Sequence, residues 1–491
     1  MVSSTAVSPH QDKAVAGDQR GQAVAGLILA ALAGATYKQG GFYSAAQWYL
    51  GALVVVASAV AVTLPAGGRR WFVELPRGWR MQAAPFALVV WTLLDAGLHG
   101  SVGSGARLAL LVVAVVLLIA DCRLLDRTSV DLLLGGLLAL CAVTALIGWY
   151  GVASHHDVLA ITGQGVWRAA GTLSYPNAAA ALLALGALTG IAQRCLDRPA
   201  DRFRIDGVLL TAVLTGLAAT LSRAGLLGFA AGGLVLLVLL GGRVWTACWA
   251  PLAGMLVALG GLLPAMPVSS RTHLGLALLA LVAGLAIGSL RPVLWLPRAG
   301  WSGRGSLMIA GLIGIGAAVL LAIADRRAGA VIGRARANLS SSDRLAAWHA
   351  VWHQIALHPV AGSGPGLRQL SWQAPDGSLR VFAYAHDEYL QLFAELGLVG
   401  VLCVAGCVVS LVVLLHRSRP AHDRSATDRA SWALAVAAVL STAISALFDF
   451  TGHFPAITLT AAALVGCAGA ARTRHLGPES AVQQGKSLEE R

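Results

Sequence analysis

VDLLLGGLLALCAVTALIGWYGV, from Val130 to Val152, runs for twenty-three residues with a single charge, Asp131. The hydrocarbon core of a bilayer is about 30 Å thick and takes roughly twenty helical residues to cross. Inside lipid every backbone N–H and C=O must be satisfied within the protein, which leaves helices and closed barrels. The stretch is helix-length rather than strand-length, so it reads as a membrane span. About fourteen apolar segments of this kind are expected along the chain. They fall at 21–37, 46–64, 82–99, 105–120, 130–152, 175–193, 206–221, 224–241, 245–267, 272–290, 305–324, 387–415, 430–449 and 453–471. The short ones (21–37, 105–120 and 206–221) fit either a tilted helix or one that dips in and returns.

Composition agrees. Of 491 residues, 57% are hydrophobic and 12% charged, with a mean hydropathy of +0.72. A soluble protein cannot hide that much apolar surface. The expected fold class is all-α: a polytopic integral-membrane bundle of about 12–14 helices with one large outer loop. The net charge of +13 is carried almost entirely by arginine. In a membrane protein such charge mostly faces anionic lipid, so nucleic acid is the weaker reading of the excess. None of the seven cysteines falls in an expected outer loop, so no disulfide framework is implied. Residues 1–20 lack the layout of a cleavable signal, which makes the first helix an uncleaved insertion signal.

Arginine placement sets the orientation. With the N-terminus inside, the even-numbered connections hold Arg69, Arg70, Arg77 and Arg80, then Arg123 and Arg127, then Arg194, Arg198, Arg202 and Arg204. Arg243, Arg291, Arg298, Arg304, Arg417, Arg419, Arg424 and Arg429 continue the pattern. The domain order expected is a disordered cytoplasmic N-terminus (1–20), a transmembrane bundle (21–325), a large outer loop with an interfacial helix (326–386), C-terminal transmembrane helices (387–471) and a cytoplasmic tail (472–491).

The outer loop breaks the charge rule. It carries Arg326, Arg327, Arg334, Arg336, Arg344, Arg368 and Arg380. Long loops are translocated largely regardless of charge, so the topology stands. The cluster reads either as a solvated loop with an arginine bias, which accounts for about half of these residues, or as a site for phosphate, which guanidinium binds bidentately. Within the loop, Ser340 to Pro359 reads as a helix capped by Ser342 or Asp343 and ended by Pro359. Leu345, Trp348, Trp352, Ile355 and Ala356 share one face, as on a helix at the membrane surface, with Arg344 one turn before Trp348. VAGSGPG, Val360 to Gly366, follows as a tight turn whose amides either face an anion or simply turn the chain.

Three further features converge on the outer face. In WRAAGTLSYPNAAAA, Trp167 to Ala181, Asn177 can cap a helix after Pro176 and bring Arg168 to the surface; an ordinary capped loop is the alternative. Ser222–Arg223 lies between two apolar spans with almost no loop, as a ligand or as a topological anchor. AHDEYLQLFAELGLVG, Ala385 to Gly400, puts His386 at a helix mouth, followed by Asp387, Glu388 and Tyr389. Histidine accepts a proton near neutral pH and suits a general base. Glu395, about two turns further, is an intramembrane carboxylate and so a functional suspect, unless it only pairs with Arg223 or another basic group. There is no Walker loop, no HExxH and no Cys–His cluster. The ionisable positions in the spans, Asp95, Glu395 and Asp449, all sit toward the outer side, which favours chemistry at the outer leaflet over alternating access.

Taken in order, Arg168 with GTLSYPN, LSRAG at 221–225, DRLAAWHAVW at 343–352, HPVAGSGPG at 358–366 and AHDEYLQLFAELGLVG resemble the bacterial O-antigen ligase and O-antigen polymerase superfamily. The resemblance implies a multi-pass glycosyltransferase of the GT-C type in the bacterial cytoplasmic membrane, active at its outer face. It implies a glycan moved from an undecaprenyl-diphosphate carrier to an acceptor hydroxyl (on a glycan, lipid or protein), with inversion and with neither metal nor nucleotide cofactor. By the same resemblance Arg223 and Arg344, helped by Arg168, hold the diphosphate and His386 activates the acceptor, with Asp387, Tyr389, Glu395 and Trp348 in support. The family more often has Asn after the histidine, where this chain has Asp387. A transporter or flippase of lipid-linked sugars is the alternative, and it would call for polar residues at mid-membrane and an internal repeat.

Overall fold

The computed structural model describes residues 9–63, 79–196, 199–290, 342–367, 369–373, 377–421 and 425–470, with side chains omitted at 9–18, 79–81, 342–345 and 380. The expected span 305–324, Arg326 to Arg336, Arg368, the tail 472–491 and the side chains of Arg344 and Arg380 lie outside the described residues.

Every other expected segment is a helix. In chain order these are α1 (Pro9–Tyr37), α2 (Ser44–Val62), α3 (Trp79–Leu98), α4 (Val102–Leu124) and α5 (Arg127–Ser154). A hairpin of β1 (Ala160–Gly163) and β2 (Val166–Ala169) leads to α6 (Pro176–Arg194), α7 (Ala200–Ala219), α8 (Arg223–Leu240), α9 (Gly242–Leu262) and α10 (Leu274–Gly288). After the undescribed stretch come α11 (Ser342–Leu357), a second antiparallel hairpin of β3 (Leu370–Gln373) and β4 (Leu379–Phe382), then α12 (Glu388–Arg417), α13 (Ala426–Ala446) and α14 (Pro455–Ala470). Among the described residues eight helices are long and apolar enough to cross a membrane, and shorter apolar helices cover Gln82–Leu98, Leu274–Gly288 and Pro455–Ala470. The chain is an all-α polytopic membrane protein. The N-terminus differs from expectation: α1 starts at Pro9, well inside the segment 1–20 read as disordered. Proline is favoured at a first helical position, and the Gln, Lys and Ala residues that follow propagate the helix.

α6 forms the centre. Its membrane-length window is 100% buried, because PNAAAALLALGALTGIAQR is mostly alanine, glycine and leucine, and small residues let neighbouring helices approach closely. A Cβ on Gly186 would lie 2.5 Å from that of Cys141 on α5, and one on Gly225 of α8 would lie 2.3 Å from that of Ala180. The bundle therefore has two distinct ends. At one, Arg123 donates to Ser418 (3.1 Å), Arg127 to Thr427 (2.6 Å) and Arg194 to the carbonyl of Ala247 (2.9 Å). At the other, the connections around residues 38–43, 155–175, 220–222, 384–387 and 447–454 meet near the N-terminus of α6, and the connection 99–101 lies against the turn 360–366.

α12 is broken where it matters for that second end. Gly397 has φ 64° and ψ −167°, a conformation essentially confined to glycine. The turn 360–366 fills the break: Leu398 N–H donates to Pro359 O (3.0 Å), Ser363 N–H to Ala394 O (2.9 Å) and Gly364 N–H to Glu395 O (3.0 Å). Trp91 Nε1 donates to Leu396 O at 2.9 Å. A helix can be interrupted at membrane depth only if its freed backbone groups find partners like these. A Cβ on Gly397 would sit 2.2 Å from Val360 O. Gly397→Val is therefore expected to destabilise by roughly 3 kcal/mol or more, from backbone strain and the displaced turn. Thermal unfolding in detergent checks this, and an unchanged Tm would refute the account.

Candidate active site

His386 is placed by its own backbone and by the cap that follows it. Its φ is 53°, the left-handed region, which histidine tolerates better than bulky residues but which still calls for support from its surroundings. Asp387 then caps α12, accepting from Tyr389 N–H and Leu390 N–H at 3.0 Å each. The imidazole is aimed at the connection between α13 and α14, where its Nδ1 lies 3.4 Å from Asp449 Oδ1. Asp449 is fully buried, while the His386 side chain keeps 35% exposure. One nitrogen is tied down and the ring remains reachable.

Asp449 is the hub. Its Oδ2 accepts from Tyr175 Oη at 2.7 Å and from Asn177 Nδ2. Asn177 Oδ1 accepts from Arg168 Nη2 at 2.8 Å, and Arg168 Nε donates to Thr220 O at 2.9 Å. Burial pushes the Asp449 carboxyl up, but hydrogen bonds from His386, Tyr175 and Asn177, with the histidine's charge, together hold it below its ordinary value. One bonded path thus joins His386 to the turn that carries Ser222 and Arg223. That turn has its own strained residue, Leu221 at φ 51°. Ser222 caps α8 by accepting from Gly225 N–H at 3.3 Å, and Arg223 is exposed in the first turn.

Asn177 corrects an expectation. It does not cap α6; Tyr175 is at the cap position, without a side-chain bond, and Pro176 is the first helical residue. One residue further in, the Asn177 amide turns to Asp449 and Arg168 instead. Asp449 itself was legible only as an ionisable position near one end. Nothing in sequence links it to His386, which is 63 residues away.

Glu395 is buried, and its partners are Gln391, Gly366 and His453 rather than Arg223. It accepts from Gln391 Nε2 (2.7 Å) and from Gly366 N–H (3.0 Å), and His453 Nε2 stands 4.0 Å from it. The glycine-rich turn does donate an amide to an anion, Gly366 N–H to the chain's own Glu395 carboxylate, while Gly364 N–H goes to the Glu395 backbone carbonyl. His453 Nδ1 also lies 3.2 Å from Glu388 Oε1. Each of the three carboxylates singled out in the spans is therefore matched with a histidine, the third being Asp95 with His99 at 3.0 Å.

The face expected on α11 divides. Ala350, Val351 and Ile355 pack with Leu370, Ala385 and Ala394, so this side of the helix lies against α12 and the second hairpin. Trp352 and Ala356 are exposed. The Trp348 Nε1 is buried without a hydrogen-bond partner. The side packed against Ala394 of α12 carries mostly alanine and valine, which allow closer approach than tryptophan. Tyr389 is a tie to α13, its Oη donating to Ala443 O at 3.1 Å.

Asp387 supplies a graded test. Burial chiefly, with Glu388 beside it, raises its carboxyl above the ordinary value despite the two capping amides. A raised acid contributes least where it must be charged, so this strain on stability grows as pH rises through the raised value. Asn caps as well as Asp. Asp387→Asn is expected to change stability by less than about 1 kcal/mol at neutral pH and to flatten the dependence of Tm on pH, with transfer activity retained; a large loss of activity would give Asp387 a role in the chemistry.

The fold and the site together define a polytopic α-helical membrane protein with a histidine–aspartate pair at one end of its bundle. Residues 262–405 match the family model described as O-antigen ligase, and this supports assigning the chain to the O-antigen ligase and polymerase family and to a membrane glycan ligase or polymerase role. The match takes in α11, the glycine turn, His386 and Glu395, whereas Arg168, Asn177, Arg223 and Asp449 lie outside it. No curated protein matches the chain significantly.

Proposed function

We propose that this protein moves a glycan from an undecaprenyl-diphosphate carrier to an acceptor hydroxyl at the outer face of a bacterial cytoplasmic membrane. The observation that carries the reading is the His386 Nδ1–Asp449 Oδ1 contact, tied through Asn177 and Arg168 to the turn before Arg223. The arginine-lined end of the bundle opposite this site supports the outer placement, because basic connections are retained in the cytoplasm.

A histidine whose Nδ1 donates to Asp449 presents Nε2 as an acceptor. In the proposed step Nε2 takes the proton of the acceptor hydroxyl as its oxygen attacks the anomeric carbon. The bond from that carbon to the diphosphate oxygen breaks, and the carrier diphosphate leaves with the electron pair. A single displacement inverts the anomeric configuration. The imidazolium formed is stabilised by Asp449. Arg223 and Arg344 are the proposed holders of the diphosphate, offsetting the charge that grows on it. Arg168, with Nε and Nη2 bonded within the protein, is proposed to hold the two loops in register as well as add positive charge.

Purified protein incubated with undecaprenyl-diphosphate glycan, with and without candidate acceptors, tests the reading. Glycan growing on the carrier means a polymerase, and glycan on a foreign acceptor means a ligase. Translocation in proteoliposomes with no bond formed would replace the proposal with the transporter reading.

A further inference from the structure

Beside the His386 site, and separated from it by one aromatic ring, is a cavity of about 110 Å³. A site for one water needs roughly 10–15 Å³ by this measure, so the cavity has room for a ligand about the size of a sugar ring. Its polar lining is Gln47, Ser104, Arg107, Tyr384, Glu388, Glu395 and His453, set among leucines of α2, α4, α12 and α14. Tyr384 stacks on Phe450 with centroids 4.3 Å apart, and Phe450 also meets the His386 ring, at 5.3 Å.

The lining selects a class of ligand. Two carboxylates against one arginine disfavour a phosphate or diphosphate. A metal ion is disfavoured as well, because His453 already stands between the carboxylates, 3.2 Å from Glu388 and 4.0 Å from Glu395. Each ionised carboxylate has about four lone-pair positions. Glu395 accepts from Gln391 and Gly366, and Glu388 accepts from Gly452 N–H at 3.0 Å, so both retain acceptor capacity toward the cavity. What satisfies surplus acceptors without bringing negative charge is a set of neutral hydroxyl donors. Phe42 and Tyr384, edge to face at 6.0 Å, add aromatic surface for the C–H face of a ring.

The geometry points to this cavity as a binding subsite for a neutral, hydroxyl-bearing sugar unit that flanks the reacting one. The inference deepens the proposed transfer reaction and rests on it for the word flanking, but occupancy of the cavity can be measured without transfer. The sugar can belong to the donor glycan or to the acceptor, and kinetics separate the two.

Saturation-transfer NMR on the full-length protein in nanodiscs, with the methyl pyranosides of glucose, galactose, mannose and N-acetylglucosamine as probes, is the first measurement. At least one glycoside is expected to receive saturation, to lose it in Glu388→Gln and Gln47→Ala, and to keep it in excess inorganic pyrophosphate. Gln47→Ala removes only a partly buried side chain bonded to Phe42 O, so it remains informative if Glu388→Gln fails to fold. No signal from any of the four, a signal unchanged in both variants, or displacement by pyrophosphate would each overturn the assignment. In the transfer assay Glu388→Gln is expected to raise one KM about tenfold, the effect of one weakened hydrogen bond to a charged group, and Gln47→Ala to raise the same KM about threefold to tenfold, the effect of one neutral hydrogen bond, both with kcat unchanged. A raised acceptor KM assigns the subsite to the acceptor, and a raised carrier KM to the donor. Unchanged KM values, or a fall in kcat alone, count against it. If the wild type transfers nothing, the proposed reaction falls while the glycoside signal still decides the cavity.

Discussion

His386→Ala is expected to abolish glycan transfer while leaving carrier binding in place. Positioned proton transfer contributes roughly 10²–10⁴-fold to a rate, and the variant removes the group assigned to it. The substitution leaves intact what orders the neighbourhood: the Asp387 cap, the Tyr384–Phe450 stack and the bonds from Tyr175 and Asn177 to Asp449. Relief of the left-handed backbone does not follow, since alanine at φ 53° is no better accommodated than histidine. The decisive pair of measurements is kcat in the reconstituted assay and retention of labelled carrier by the same preparation. Normal turnover in correctly inserted protein sinks the assignment. Loss of both turnover and carrier binding would move His386 from the proton to the diphosphate.

Asp449→Ala is expected to do damage of two kinds. It takes the acceptor away from Tyr175 and Asn177 in a buried site, and each orphaned donor costs about 1–3 kcal/mol. It also frees the His386 ring to rotate and removes the charge that favours the imidazolium, a loss of roughly tenfold to a hundredfold or more in kcat by analogy with other oriented histidines. Asp449→Asn separates the two. Its shape is kept, so stability should fall less, while the missing charge still lowers kcat. The pH dependence has a definite sign. A carboxyl held below its ordinary value contributes fully above the unfolded value of about 4 and loses that contribution as pH falls through its lower native value. Wild-type Tm is thus expected to drop on acidification below about pH 4 more steeply than that of Asp449→Asn. Parallel curves would mean that the buried carboxylate is not the stabilising charge.

How much of this was legible in the sequence varies with the kind of interaction. The helices were, because a span is a local property: twenty apolar residues in lipid have no alternative to internal hydrogen bonding. The placement of His386 at a helix mouth was, because Asp387 and the apolar run after it are neighbours in the chain. The role of the turn 360–366 was half legible. Its glycines announced left-handed backbone, and Gly362, Gly364 and Gly366 all have positive φ, but that its amides serve Glu395 depends on a helix break that a single glycine in an apolar run does not announce. Asn177 departs from the cap role its sequence suggests for a similar reason. Its sequence position after Pro176 fits a cap, and only the packing of α6 beside the α13–α14 connection gives its amide a better partner.

The sequence by itself determined the class of protein, the run of helices, the segregation of arginine among connections and the family resemblance, all of which rest on hydropathy, charge and short ordered motifs. Only the tertiary structure decided the site. It brought Asp449 to His386 and to Asn177, and His453 between Glu388 and Glu395, pairings that span up to 272 residues. Side chains so far apart in the chain meet because an alanine-rich central helix lets its neighbours close around it, and no local pattern records which loop ends that closure will bring into contact.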